Sequence, residues 1–202
     1  MEALLTSTAV VAIAEIGDKT QLLAIVLAAR FRKPLPIVLG ILAATLLNHA
    51  LAAGFGYLVA QWLTGRTFQI VLGVAFIAMA AWALIPDKED EGAAQRSAGG
   101  VFLTTLIAFF LVEIGDKTQI ATSLLAAQFQ SVALVTVGTT AGMMLANVPA
   151  VFLGEAVTRI VPMKVVRTTA AVVFAAIGLW IVIAAPDMAG MANASALNAS
   201  AQ

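Results

Sequence analysis

The sequence predicts an all-α integral membrane protein, with six transmembrane helices arranged as two inverted three-helix repeats. Composition and repetition carry that expectation. Of 202 residues, 61% are hydrophobic and only 11% charged, against roughly 25% charged in average soluble domains. The mean hydropathy is +1.00. A water-soluble globule is excluded. Eleven Lys/Arg balance eleven Asp/Glu, so no basic surface exists to neutralise a phosphate backbone, and nucleic acid is not an expected partner. With no cysteine, disulfides, thiolate metal sites and thiol nucleophiles are ruled out, leaving oxygen donors or His49 for any metal.

Apolar runs and their breakers place the spans at 4–29, 35–61, 68–85, 101–128, 132–157 and 166–185. Met1–Leu5 lacks the positive region of a secretory signal, so the first run reads as a retained helix. Arg32-Lys33-Pro34 closes the first span and Thr64-Gly65-Arg66 the second. Pro86 opens the polar run 87–92, and Val161-Pro162 separates the fifth span from the sixth. The expected organisation is a first repeat over 1–86, an acidic cytoplasmic linker over 87–100, a second repeat over 101–185 and a disordered Ala/Asn/Ser tail over 186–202. The glycosylation-like triplets at Asn193 and Asn198 read as products of that tail's composition.

Positive residues resist translocation. The odd-numbered connections hold Arg30, Arg32, Lys33, Lys88, Arg96, Arg159, Lys164 and Arg167, and the opposite side only Arg66. Both termini are therefore expected outside the cytoplasm, and three spans per half invert the second half. The halves also match in sequence. A shift of 98 residues lays Glu15-Ile-Gly-Asp-Lys-Thr-Gln21 on Glu113-Ile-Gly-Asp-Lys-Thr-Gln119, with 12 identities over 26 positions that include Phe31 on Phe129 and Gly40 on Gly138. Duplication with an odd number of spans is the mark of an inverted-repeat transporter, whose site lies near the membrane midplane.

Six charges fall inside spans one and four: Glu15, Asp18, Lys19, Glu113, Asp116 and Lys117. Each ionised group at the bilayer centre costs on the order of 2.5–3.5 kcal/mol, so they need partners, protons or a wet cavity. On a continuous helix Glu15 and Asp18 share a face, and Glu15 can pair with Lys19. Bringing both clusters together gives four carboxylates and two ammonium groups, an excess of two negative charges that one divalent cation neutralises. All-oxygen ligation suits Ca²⁺, Mg²⁺ or Mn²⁺.

Weaker candidates surround the clusters. Gly17 and Gly115 permit close helix approach or local unwinding that frees carbonyls. Thr20, Gln21, Thr118 and Gln119 offer side-chain oxygens or ordinary interhelical hydrogen bonds. His49 falls on Asn147 under the same shift, beside Asn48, and reads as a core histidine or as a metal or proton ligand. Pro149 removes a helical hydrogen bond, Met143 and Met144 read as filler, and Glu155 as an ion-pair partner of Arg159.

Four carboxylates in a low-dielectric site cannot all stay ionised without a cation, so protons and metal compete for the same oxygens. Alternate exposure of such a site to the two sides gives exchange. Three other readings compete: a small-solute or amino-acid exporter, an intramembrane aspartyl protease using Asp18 and Asp116, and a structural salt-bridge network. Lysine beside each aspartate disfavours the protease.

Two copies of Glu-x-Gly-Asp-Lys/Arg-Thr/Ser, one opening each half of a six-span chain, resemble the calcium/manganese cation–proton exchangers, the family of transmembrane protein 165 and bacterial manganese exporters. The resemblance covers residues 4–185. It implies a transporter rather than an enzyme, with no cofactor, exporting Mn²⁺ or Ca²⁺ from the cytosol against protons. Glu15, Asp18, Glu113 and Asp116 are then the ion site, with Lys19, Thr20, Lys117 and Thr118 on the motif's remaining positions. The short central loop and the lack of a leader point to a bacterial plasma membrane.

Overall fold

A computed structural model describes residues 1–62, 65–85, 99–154 and 163–184. Among the described residues every regular element is an α-helix: α1 Glu2–Glu15, α2 Lys19–Phe31, α3 Pro34–Trp62, α4 Gly65–Ala83, α5 Val101–Glu113, α6 Lys117–Phe129, α7 Val132–Leu153 and α8 Met163–Ala184. Thr64, the 87–92 run, Glu155, Arg159, Val161-Pro162 and the 186–202 tail lie outside them. Four helices, α3, α4, α7 and α8, are long and apolar enough to cross a membrane.

The first and fourth apolar stretches depart from expectation. Instead of one continuous helix, each is two helices of 13 or 14 residues, broken directly after Glu15 and Glu113. At 1.5 Å per residue each piece is about 20 Å long, too short to cross a ~30 Å hydrocarbon core alone. Both breaks are type II β-turns. Ile16 has φ −61° and ψ 117°, Gly17 has φ 75°, and the Asp18 amide donates to the Glu15 carbonyl at 3.1 Å. Ile114 (φ −61°, ψ 119°), Gly115 (φ 75°) and the Asp116 amide (3.1 Å from the Glu113 carbonyl) repeat that geometry. The third residue of such a turn needs positive φ, which explains the glycine in each motif.

Helices pack mainly across the midpoint of the chain: α1 and α2 lie on α7, α5 and α6 on α3, and α4 on α8. Small residues allow the close crossings. A side chain at Gly138 would meet the Leu4 carbonyl at 2.6 Å and Ser7 Cβ at 2.9 Å, and one at Gly40 would meet the Phe102 carbonyl and Thr105 Cβ, each at 2.8 Å. These are the same crossing 98 residues apart. Phe76 and Phe174, another pair at that spacing, face each other with ring centroids 6.4 Å apart. Pro149 sits inside α7, which continues to Leu153. The outer surface is apolar, with Leu51, Phe55 and Leu58 of α3 and Leu179, Trp180 and Ile183 of α8 exposed, as lipid contact requires.

Candidate metal site between two helix breaks

Each turn ends one helix on a glutamate and starts the next from an aspartate. Glu15 and Glu113 close α1 and α5, while Asp18 and Asp116 are the N-caps of α2 and α6. Carboxylates at helix N-termini are favoured by the exposed amides and the positive end of the macrodipole. The last carbonyls of α1 and α5 lack helical partners and present the opposite end.

Glu15 and Glu113 are both 0% exposed and Asp116 is 4% exposed. One oxygen from each of these three carboxylates lies within 4.8 Å of the other two. Oxygens sharing a cation such as Ca²⁺, with bonds of about 2.3–2.6 Å, cannot be further apart than about 5 Å, so one ion fits among them. Glu15 and Asp116 line a cavity together with the half-buried Asp18, which lies outside the three-oxygen group; Glu113 is not on its wall. The cavity has a volume of about 30 Å³, room for one or two water-sized occupants. Its walls also include Lys117, Arg167, Ala170 and Phe174.

Neighbouring side chains orient the carboxylates. Thr20 Oγ1 donates to Glu15 Oε2 at 2.6 Å, and Thr118 Oγ1 to Glu113 Oε2 at 3.0 Å. Thr118 Oγ1 also lies 3.4 Å from Asp116 Oδ2, so its single proton serves the nearer oxygen. The remaining oxygens, Glu15 Oε1 and Glu113 Oε1, are buried without hydrogen-bond partners among the described residues. Such an atom costs about 1–3 kcal/mol unless something satisfies it, and a cation would serve both.

Lys19 does not pair along its own helix with Glu15, because the turn separates them. Its Nζ lies 2.9 Å from Asp116 Oδ1, an ion pair between the halves of the chain. Lys117 Nζ instead donates to the Ile85 carbonyl at 2.7 Å. Gln21 and Gln119 give their oxygens to the turns, accepting from the Gly17 amide at 2.9 Å and the Gly115 amide at 2.7 Å. Gln21 Nε2 also donates to the Ala146 carbonyl at 2.9 Å, tying the first turn to α7.

His49, Asn48 and Asn147 are buried but do not line the cavity. Asn48 Nδ2 donates to the Phe110 carbonyl at 3.1 Å, and Asn147 Nδ2 to the Met143 carbonyl at 3.1 Å, with Met143 Sδ at 3.0 Å. Neither His49 ring nitrogen has a partner among the described residues. Arg167 was read as a charge outside the membrane, yet it lines the cavity. Its position one residue inside the sixth apolar stretch was the available signal.

A family model described as divalent cation/proton antiporter GDT1 matches residues 3–91 and 101–189. The chain belongs to the GDT1 family. The two matched segments of GDT1 are themselves offset by 98 residues. A protein of Vibrio cholerae serotype O1 named "Putative manganese exporter" is 51% identical over 175 residues, covering 86% of this chain and 87% of its own length. No solved structure matches the chain. As a GDT1 member with several long apolar helices, the chain is a membrane-bound cation transporter and not an enzyme, which overturns the protease reading.

Proposed function

We propose that the chain exports Mn²⁺ from the cytosol in exchange for protons, at a cage built by Glu15, Asp18, Glu113 and Asp116. Ca²⁺ is the second cation that the all-oxygen donor set suits. The observation carrying this reading is the meeting of three buried carboxylates from two separate turns, with oxygens within 4.8 Å of one another and one oxygen on each glutamate that no described residue satisfies, beside a small cavity lined by Glu15, Asp18 and Asp116. The name of the Vibrio cholerae relative favours manganese. Space for one or two waters favours an ion over an amino acid or other small solute.

In this reading α1 with α2, and α5 with α6, are two broken spans that complete six crossings with α3, α4, α7 and α8. The repeats run over 1–86 and 101–185, joined by the 87–100 linker, and place the breaks at the midplane where inverted-repeat transporters bind ions. The distribution of Lys and Arg puts the central linker in the cytoplasm and both termini outside, in a bacterial plasma membrane. Ala83, Val166 and Arg167, at the cytoplasmic ends of α4 and α8, then make the observed cavity inward-facing.

The chemistry follows from competition. With the metal present, two negative charges in excess of the lysines are neutralised by one divalent ion. With the metal gone, Lys19 holds Asp116 and protons satisfy the glutamates, so the empty cage returns loaded with protons. Everted membrane vesicles with an acidic interior test this. Mn²⁺ uptake that collapses when the pH gradient is dissipated supports exchange, and uptake indifferent to the gradient contradicts it.

A further inference from the structure

The observed cavity reaches Glu15, Asp18 and Asp116 past Ala83, Val166 and Ala170, and export needs a route on the other side. The internal repeat identifies where that route runs. Every geometric feature of the first turn recurs 98 residues later, and alternating access in inverted repeats exchanges the roles of the two halves. Shifting the cavity's wall by the same 98 residues therefore names the wall of its counterpart. Val166, Arg167, Ala170 and Phe174 become Phe68, Gln69, Leu72 and Phe76 of α4, and Ala83 becomes Ile181 of α8.

That counterpart is filled. Leu72 is 3% exposed, Phe76 0% and Ile181 5%, and Phe68 packs on the same cluster. Side-chain size accounts for the difference between the two sides. Where the open side has Ala83, Ala170 and Val166, the closed side has Ile181, Leu72 and Phe68. Beside this apolar wedge on α4 sits Gln69, the counterpart of Arg167, whose Oε1 is buried with no hydrogen-bond partner among the described residues. Phe174 lines the open cavity, and Phe76, its counterpart 6.4 Å away, is buried on the filled side.

We propose that the cation leaves through this second route, with Leu72, Ile181 and Phe68 as the gate that closes it in the present state and Gln69 as the polar group the departing ion passes. The inference rests on the cation-export reading above. Opening requires α4 and α8 to separate at the Leu72–Ile181 end as they close at the Ala83–Ala170 end, a rocking about the Phe76–Phe174 pair.

The chain contains no cysteine, so single thiols report access directly. Gln69→Cys and Ala170→Cys are each probed with a membrane-impermeant methanethiosulfonate in everted and right-side-out vesicles, with Mn²⁺ flux measured alongside. Ala170→Cys is expected to react from the cytoplasmic side at rest. Gln69→Cys is expected to react only from the opposite side, rising about ten-fold during Mn²⁺/proton turnover as a sparsely populated state becomes common, while Ala170→Cys labelling falls. Leu72→Cys carries the same expectation and stands in if Gln69→Cys fails to fold. Leu72→Ala, which trims the gate, should raise Gln69→Cys labelling without turnover. Flux that persists while residues 69 and 72 stay unreactive, or react from the same side as residue 170, overturns the route and leaves export standing. Absence of gradient-driven flux in the cysteine-free parent removes the export reading and the route together.

Discussion

The turns at Glu15–Asp18 and Glu113–Asp116 share their backbone and differ in their surroundings. Both have glycine at φ 75° and a glutamine oxygen on the glycine amide. Both have a threonine hydroxyl on the glutamate. Yet Asp116 is buried and ion-paired with Lys19, whereas Asp18 is half-buried on the cavity wall. Arg167 and two alanines flank the open side, and Gln69, Leu72 and Ile181 flank the closed one. Duplicated residues thus fix the backbone and hydrogen bonds of the two turns, while unduplicated residues on α4 and α8 leave a cavity beside one and fill the corresponding place beside the other.

Substitutions at paired positions separate those two roles. Glu15→Gln and Glu113→Gln should each reduce Mn²⁺ flux by about 100-fold, the scale of removing a charged partner worth ~3 kcal/mol from a buried site. Retained flux in either variant would break the equivalence of the two turns. At Gly56 a Cβ would overlap the Ser123 backbone of α6, while at Gly154, its partner 98 residues on, φ is 60° and nothing lies within 4 Å. Gly56→Ala should therefore destabilise the detergent-solubilised protein by about 3 kcal/mol through overpacking, and Gly154→Ala, at a φ of 60° and ψ of −142° that is almost exclusive to glycine, by about 1–3 kcal/mol through backbone strain alone.

Lys19→Met removes the ammonium that competes with metal for Asp116. Mn²⁺ affinity by calorimetry should rise by up to about ten-fold, or ~1.4 kcal/mol, whereas a merely structural lysine would lower it. The smallest effect concerns the glutamines. Gln21 holds both the Gly17 amide and the Ala146 carbonyl, so Gln21→Ala should lower the thermal stability by about 1 kcal/mol more than Gln119→Ala.

Much of this site was legible in the sequence, because charge inside an apolar run has no structural excuse and its duplication named the partner. The pairing of Lys19 with Asp116 instead of Glu15 was not. Helical periodicity assumes an unbroken helix, and a single glycine in an apolar run does not reveal whether it serves close packing or a positive-φ turn. The roles of the Gln21 and Gln119 oxygens stayed open for the same reason, since only the turn supplies the Gly17 and Gly115 amides that use them. His49, chemically the most suggestive residue outside the clusters, lies off the cavity because its position on α3 is set by packing that periodicity cannot locate. Arg167 was counted as topological charge, and only the approach of α4 and α8 places it beside the carboxylates.

Counting bound metal tests most directly whether the two turns make a single cage. Titrating the purified chain with Mn²⁺ and reading bound ion by electron paramagnetic resonance should give one ion per chain, lost as completely in Glu15→Gln as in Glu113→Gln. Two ions per chain, or one that survives removal of either glutamate, would mean that each half binds by itself and that the cage does not exist.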